Sequence, residues 1–342
     1  MTLEELLILA SEKRATDVHL TVGMSPRCRV NGELVELISG KMDSEGILKL
    51  IQPLFNPEIE SKLNEIYEAD FSYSVPQVGR FRVNVFKQRG NLAIAIRLFP
   101  NEIPTPKELK LPDGIVELME QKRGLTLVTG PTGGGKTTTV ASLINVINHT
   151  QSVHVITIED PIEYLYRHDK AMVNQREVGI DTGSYKDALS AALRENTDVI
   201  FVGELDNYET VTLALMAAET GHMVISTMHT VDTVSTLNRI VDMFPPHNRV
   251  QLLIQLGNVL NAVICQQLLT NAQGRERVAA FEVMYNTPEI RKLLREDKIA
   301  QIPGVMKRSN RMGMQIMDDA VYNLYLKQEI DEETMKKYSG GQ

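Results

Sequence analysis

Leu3, Leu6, Leu7 and Ala10 recur at helical spacing directly after Thr2 and with Glu5 three residues on from it. T-x-x-E is a capping-box pattern, so the chain opens with an amphipathic helix. Extended apolar stretches follow at Val18–Val22, Arg27–Val30, Phe81–Phe86 and Leu92–Leu98, with Asn31-Gly32 as a turn signal among them. A small α+β domain over 1–100 is the expectation. Pro100, Pro104, Pro106 and Pro112 then break both periodicities, and 101–118 reads as a linker. From Gly124 the pattern changes to alternation. Strands are predicted at Leu125–Thr129, Val153–Ile158, Val199–Val202 and Met223–Thr227. Helices are predicted at Lys136–Asn148, Tyr185–Arg194, Tyr208–Thr220 and Thr233–Val241. Alternation of this kind implies an α/β domain, here 119–342, with a parallel sheet and crossover helices. Its ligands are expected at the carboxyl ends of the strands.

Composition narrows the classes. A chain of 342 residues is long for one core and fits two domains. Its net charge of −8 disfavours a nucleic-acid partner held by bulk charge. Cys28 and Cys265 are far apart and form no C-x-x-C, so no zinc is expected, and a reducing compartment fits. Glu4 and Glu5 stand where a signal peptide would be basic, and no apolar run is long enough to span a membrane. The expected location is cytoplasmic, with any link to the inner face of the membrane made through partners.

The most specific chemistry lies at Gly130, Pro131, Thr132, Gly133, Gly134, Gly135, Lys136 and Thr137, which read G-x-x-x-x-G-K-T. An apolar strand precedes this run, and Thr138 begins a helical pattern after it. Strand, glycine turn and helix start make a nest of backbone N–H groups at the positive end of a helix dipole. Glycines let that backbone approach a phosphate closely. Lys136 can reach the β- and γ-phosphates, and the Thr137 hydroxyl can ligate Mg²⁺. ATP is the expected ligand.

Acids and histidines mark the other strand ends. Glu159, Asp160 and Glu163 follow an apolar strand in Ile-Thr-Ile-Glu-Asp-Pro-Ile-Glu. Such a turn can supply a carboxylate that orients or deprotonates water, and others that hold hydrated Mg²⁺. Asp-Val-Ile-Phe-Val-Gly-Glu ends in Glu204, a Walker B variant with Gly203 at the usual Asp position, suited to hold Mg²⁺ through water. His229 follows the strand predicted at 223–227, where imidazole can bond a γ-phosphate oxygen.

The phosphate loop, Ile-Thr-Ile-Glu-Asp-Pro-Ile-Glu, Ala-Leu-Arg at 192–194 with Gly-Glu at 203–204, and Thr-Gly-His at 220–222 with His-Thr at 229–230 occur in this order. Together they resemble the Walker A, Asp box, Walker B and His box of the secretion/pilus ATPase superfamily. Ala-Thr-Asp-Val-His-Leu at 15–20, Gly-Arg-Phe-Arg-Val-Asn at 79–84 and Gln-Arg-Gly at 88–90 are similar to its N-terminal domain. Asn-Thr-Pro-Glu-Ile-Arg-Lys-Leu-Leu-Arg-Glu at 286–296 resembles an element of the PilT retraction motors. The resemblance covers nearly the whole chain and is to the PilT family of type IV pilus retraction ATPases. It implies a RecA-like P-loop ATPase domain with a smaller, PAS-like N-terminal domain. It also implies a homohexameric Mg-ATPase that drives pilin disassembly and twitching motility. The implied partners are an inner-membrane pilus platform protein and a paralogous retraction ATPase, with no nucleic acid.

By resemblance, Glu163 is the catalytic base, Glu204 the Walker B acid and His229 a γ-phosphate contact. Arg82 and Arg97, on adjacent predicted strands, are candidates to reach nucleotide bound to another subunit. Thr287 can cap and Pro288 suits a first helical turn, with Ile290, Leu293 and Leu294 on an apolar face. Arg291 and Arg295 lie four apart on another face and, by resemblance, couple hydrolysis to retraction. Departures from the family pattern are Gly134 for a usual Ser, Ser226 for a usual Gly, and Leu205-Asp206-Asn207 for Met-Arg-Asp. Rival readings are a pilus assembly or type II secretion ATPase, a DNA translocase, and a weakly hydrolysing nucleotide-binding regulator. The assembly branch usually carries a longer N-terminal region and a four-cysteine zinc module, and this chain has neither.

Overall fold

The computed structural model describes residues 1–30, 32–76, 78–100, 102–309 and 312–338, which form two compact units. Asn31 of the expected Asn31-Gly32 turn lies outside the described residues.

The first unit spans 1–102 and includes the segment Pro161–Leu165. Its helices are α1 (Leu3–Glu12), α2 (Ser44–Ile51) and α3 (Pro57–Glu65). Its strands are β1 (Asp17–Leu20), β2 (Arg27–Val30), β3 (Glu33–Glu36), β4 (Glu68–Val75), β5 (Gly79–Gln88) and β6 (Asn91–Leu98). They form one antiparallel sheet in the order β3-β2-β1-β6-β5-β4. The capping box at α1 is present. The Glu5 N–H donates to Thr2 Oγ1 at 3.2 Å, and the Thr2 N–H donates to Glu5 Oε2 at 2.9 Å. Leu3, Leu6, Leu7 and Ala10 are buried, as their spacing predicts. Alternation then places Val18, Leu20, Phe81, Val83, Val85, Ile94 and Ile96 in the core with α1 and α2. β1 stops at Leu20, short of the predicted Val22, because the chain turns there: Gly23, at φ +85°, donates its N–H to Met42 O at 2.8 Å.

The second unit holds 103–160 and 166–342. Its helices are α4 (Asp113–Glu117), α5 (Lys136–Thr150), α6 (Tyr185–Ala192), α7 (Tyr208–Glu219), α8 (Thr233–Asp242), α9 (Arg249–Val259), α10 (Pro288–Arg295), α11 (Ile302–Arg308), α12 (Met317–Leu326) and α13 (Glu332–Tyr338). Its strands are β7 (Gly124–Thr129), β8 (His154–Glu159), β9 (Met172–Glu177), β10 (Val199–Val202), β11 (Met223–Met228), β12 (Leu260–Thr270) and β13 (Arg277–Tyr285). The sheet order is β13-β12-β7-β11-β10-β8-β9, parallel throughout except for the antiparallel β12–β13 pair. Both faces are covered. Leu125 and Leu127 face one apolar cluster and Val128 the other, so every residue of β7 is buried.

The proline-marked stretch differs from a free linker. Leu111, Ile115, Leu118 and Met119 are buried with Val140, Leu143 and Ile144 of α5 in one cluster. Their apolar spacing outweighs the prolines, which sit in the turns before α4. The four predicted strands of the second domain are present, but β9 and the β12–β13 hairpin extend the sheet beyond them.

Candidate functional site

β7, β11, β10 and β8 are consecutive neighbours, so their carboxyl ends bring the phosphate loop, His229, Glu204 and Glu159 together at one edge. The loop joins β7 to α5. Gly130, Gly133 and Gly135 adopt φ +150°, +74° and +85°, a region that L side chains rarely enter. A Cβ on Gly130 would collide with the Gln266 carbonyl oxygen, and one on Gly134 would lie 2.9 Å from Pro131 O. Gly135 ends the loop as a left-handed N-cap, and no side chain caps α5. The first N–H groups of this helix of 15 residues are thus left for an anion.

Lys136 is buried. Its Nζ donates to Gly130 O at 2.8 Å and to Pro131 O at 3.1 Å, and lies 3.3 Å from His229 Nδ1. Thr132 Oγ1 is 3.4 Å from the same nitrogen. On the opposite side of the ring, Nε2 is 3.6 Å from Glu204 Oε1. His229 therefore connects the phosphate-binding lysine to the acid at the end of β10. A ring nitrogen facing an ammonium acts as an acceptor, which leaves Nε2 as the N–H toward the carboxylate.

Glu159 is buried and accepts from Thr157 Oγ1 at 2.6 Å and Gln175 Nε2 at 3.2 Å. Asp160 is exposed, and Glu163 is half-buried within the segment that groups with the first unit. The acidic turn thus distributes its carboxylates. One is committed inside the second unit, and another belongs with the N-terminal unit. Tyr185, on α6, packs against Gly203, where a Cβ would lie 2.8 Å from its hydroxyl. Burial, and then the charges of Asp160, Glu204, Glu159 and Asp206, push that hydroxyl far above the usual tyrosine range. Glycine at 203 leaves room for the Tyr185 ring beside Glu204.

The other departures have local roles. Asn207 caps α7, with Oδ1 accepting from the Thr210 N–H at 2.9 Å, a task asparagine and aspartate share. Its Nδ2 donates to the exposed Asp206 at 2.7 Å. The buried Ser226 hydroxyl donates to Val202 O at 2.6 Å and is satisfied between two strands.

Beside the loop, a cleft of about 550 Å³ is lined by Gly135, Thr138, Thr139, Gln266, Leu268 and Arg277 among others. Arg277 Nη1 donates to Gly133 O at 3.4 Å. Gln266 and Arg277 come from the β12–β13 hairpin, which sequence reasoning did not identify. The β-branched and apolar Val-Ile-Cys-Gln-Gln-Leu-Leu run was the available signal for it.

In the first unit, Arg82 and Arg97 are direct cross-strand partners of β5 and β6. Each is exposed and paired: Arg82 Nη2 with Asp70 Oδ2 at 2.5 Å, and Arg97 Nε with Asp17 Oδ1 at 3.4 Å. At α10, Thr287 caps with Oγ1 3.4 Å from the Ile290 N–H, and Ile290 and Leu294 are fully buried. Arg295 is exposed and donates to Asn258 Oδ1 at 2.7 Å. Arg291 departs from the expected basic face. It is half-buried against α9, with its Cγ 3.4 Å from the position of a Cβ on Gly257, and its buried Nε has no partner among the described residues.

Residues 3–337 match the family model described as type II/IV secretion system protein. The chain is 40% identical over 337 residues to the type IV pilus retraction ATPase PilT of Pseudomonas aeruginosa, covering 98% of each. It is 42% identical over 300 residues to a twitching motility protein of Neisseria gonorrhoeae, covering 88% of this chain and 80% of the relative. A crystal structure of the pilus retraction motor PilT with bound ADP superposes with a TM-score of 0.93 at 46% identity, covering 99% of this chain and 97% of that one.

Proposed function

The chain belongs to the type II/IV secretion system protein family and, within it, to the PilT retraction ATPases, and from that membership we propose that it hydrolyses ATP to power type IV pilus retraction. The observation that carries the reading is the connected set Lys136, His229 and Glu204 at neighbouring strand ends, beside a glycine loop that leaves the start of α5 without a side-chain cap. ATP places its phosphates in Gly130–Thr138, and Lys136 exchanges the loop carbonyls it now holds for phosphate oxygens. Thr137, and Glu204 through water, would hold Mg²⁺, which neutralises charge on the phosphates. His229 contacts the γ-phosphate and reports its presence to Glu204. Glu163 takes the proton of the attacking water.

Arg82 and Arg97 act in trans on nucleotide held by a neighbouring subunit of a homohexamer. Their aspartate partners keep this doubled positive charge in place on the sheet until a phosphate competes for it. Arg291 and Arg295 couple the cycle to work on an inner-membrane platform protein, at the cytoplasmic face, alongside a paralogous retraction ATPase where one exists. No helix among the described residues is long and apolar enough to cross a membrane. The test is a strain deleted for this gene, scored for surface pili and twitching. Abundant pili without motility is the expected result. A bald cell would make the chain an assembly motor and overturn the reading.

A further inference from the structure

We infer that Gln266 is a positioning residue for phosphate binding, one that holds the loop in its anion-accepting shape from below. The inference rests on the nucleotide-loop reading above and extends it to a strand that carries none of the sequence motifs. Gln266 is 3% exposed and sits on β12, one residue beyond the last β12–β7 pair, Cys265 with Thr129. The parallel pairing therefore ends where the loop begins, and Gln266 runs on alongside it.

Both halves of the residue meet the loop. Its main-chain oxygen would clash with a Cβ on Gly130 and lies 3.3 Å from where one on Gly134 would be. Its side-chain Nε2 is 2.7 Å from the Cβ position of Gly135. Its Oε1 accepts from the buried Thr139 hydroxyl at 2.7 Å. That last bond fixes the orientation of the amide. With oxygen committed to Thr139 on α5, the NH₂ edge faces Gly135, the residue that turns the chain into the helix. Three of the loop's glycines thus have Gln266 as a close neighbour, and its main-chain oxygen excludes a side chain at Gly130. The absence of any side-chain cap on α5 gives the same amide a second consequence. A neutral, donor-edged group beneath the nest leaves its positive end uncompensated and available to phosphate.

The experiment compares wild type, Gln266→Glu and Gln266→Met, with Lys136→Ala as a binding-deficient reference. Gln266→Glu keeps an oxygen for Thr139 but puts a negative oxygen where the NH₂ edge was. Gln266→Met keeps length and removes both hydrogen-bonding groups. Affinities for ATP and for tripolyphosphate are measured by displacement of a fluorescent ATP analogue, and melting is followed in the absence of nucleotide. Gln266→Glu should lose on the order of tenfold or more in affinity for both ligands, through charge repulsion in a poorly hydrated site. Gln266→Met should lose several-fold for both, with its melting transition retained. If Gln266→Glu does not fold, the Gln266→Met comparison decides the matter alone. Unchanged affinities in the variants that fold would overturn the role. A loss for ATP without one for tripolyphosphate would also overturn it, by moving Gln266 to the nucleoside. Failure of the wild type to bind either ligand would sink the nucleotide reading itself.

Discussion

Gly133→Ala and Gly135→Ala separate two costs that a glycine-rich loop combines. Both residues have positive φ, +74° and +85°, so alanine at either should cost about 1–2 kcal/mol for the left-handed backbone. Their surroundings differ. Nothing lies within 4 Å of a Cβ on Gly133, whereas one on Gly135 would lie 2.7 Å from Gln266 Nε2 and 3.4 Å from Leu268 Cδ1. Gln266 cannot swing aside without breaking its bond to Thr139. That overpacking adds about 1–3 kcal/mol. Gly135→Ala should therefore lose about 2–5 kcal/mol in all, against about 1–2 kcal/mol for Gly133→Ala. Urea denaturation without nucleotide measures both, read as the shift in midpoint at constant slope. Adding Gln266→Ala to Gly135→Ala should recover part of the loss, with a coupling energy of about 1–3 kcal/mol. Equal losses for the two single variants, or additivity in the double variant, would refute this account of the loop.

Three further outcomes are expected. Glu163→Gln should abolish turnover and leave ATP affinity near wild type, whereas Lys136→Ala should weaken binding itself; normal turnover in the Glu163 variant would remove it from the chemistry. Arg295→Ala, exposed in α10, should cost within about 0.5 kcal/mol of stability, while Arg291→Ala should cost more because its stem packs on α9. Both variants should hydrolyse ATP, and the double variant should fail to retract pili in cells; normal retraction would leave these arginines as surface and packing groups. Above about pH 10 the unfolded tyrosine releases its proton while Tyr185, held far higher by burial and nearby acids, retains it, so stability falls as pH rises through that range. Tyr185→Phe lacks this contribution, and its denaturation midpoint should decline less between about pH 9 and 11; parallel curves for the two proteins would mean Tyr185 titrates normally.

Much of the second unit is legible in order along the chain because its chemistry is local. Strand, loop and helix are contiguous from 124 to 150, and each conformational requirement of the loop is met by its own glycines. The capping box and the buried face of α1 follow from spacing of three and four residues. Parallel alternation then predicts that Glu159, Glu204 and His229 reach one edge, since every crossover returns to the same end of the sheet. Helix α10 also forms where Thr287 and Pro288 place its start.

What tertiary structure decided is non-local. Gln266 reaches Thr139 across 127 positions of sequence, and nothing in the residue pattern of β12 marks it as the neighbour of three glycines. Glu282, buried on β13, accepts from the N–H of Thr233 at 2.7 Å and of Met317 at 3.1 Å, and so caps the starts of two helices from a strand. A chain read by period sees there only an acid in an apolar run. Arg291 looks solvated from helical spacing, but the absence of a side chain on Gly257 lets α9 and α10 approach and covers its stem. Proline composition reads 101–118 as a linker, yet Leu111, Ile115, Leu118 and Met119 find an apolar surface that exists only once α5 is packed on the sheet. Local stereochemistry can be written into neighbouring residues. Burial and cross-chain hydrogen bonding are settled only when distant segments share one core.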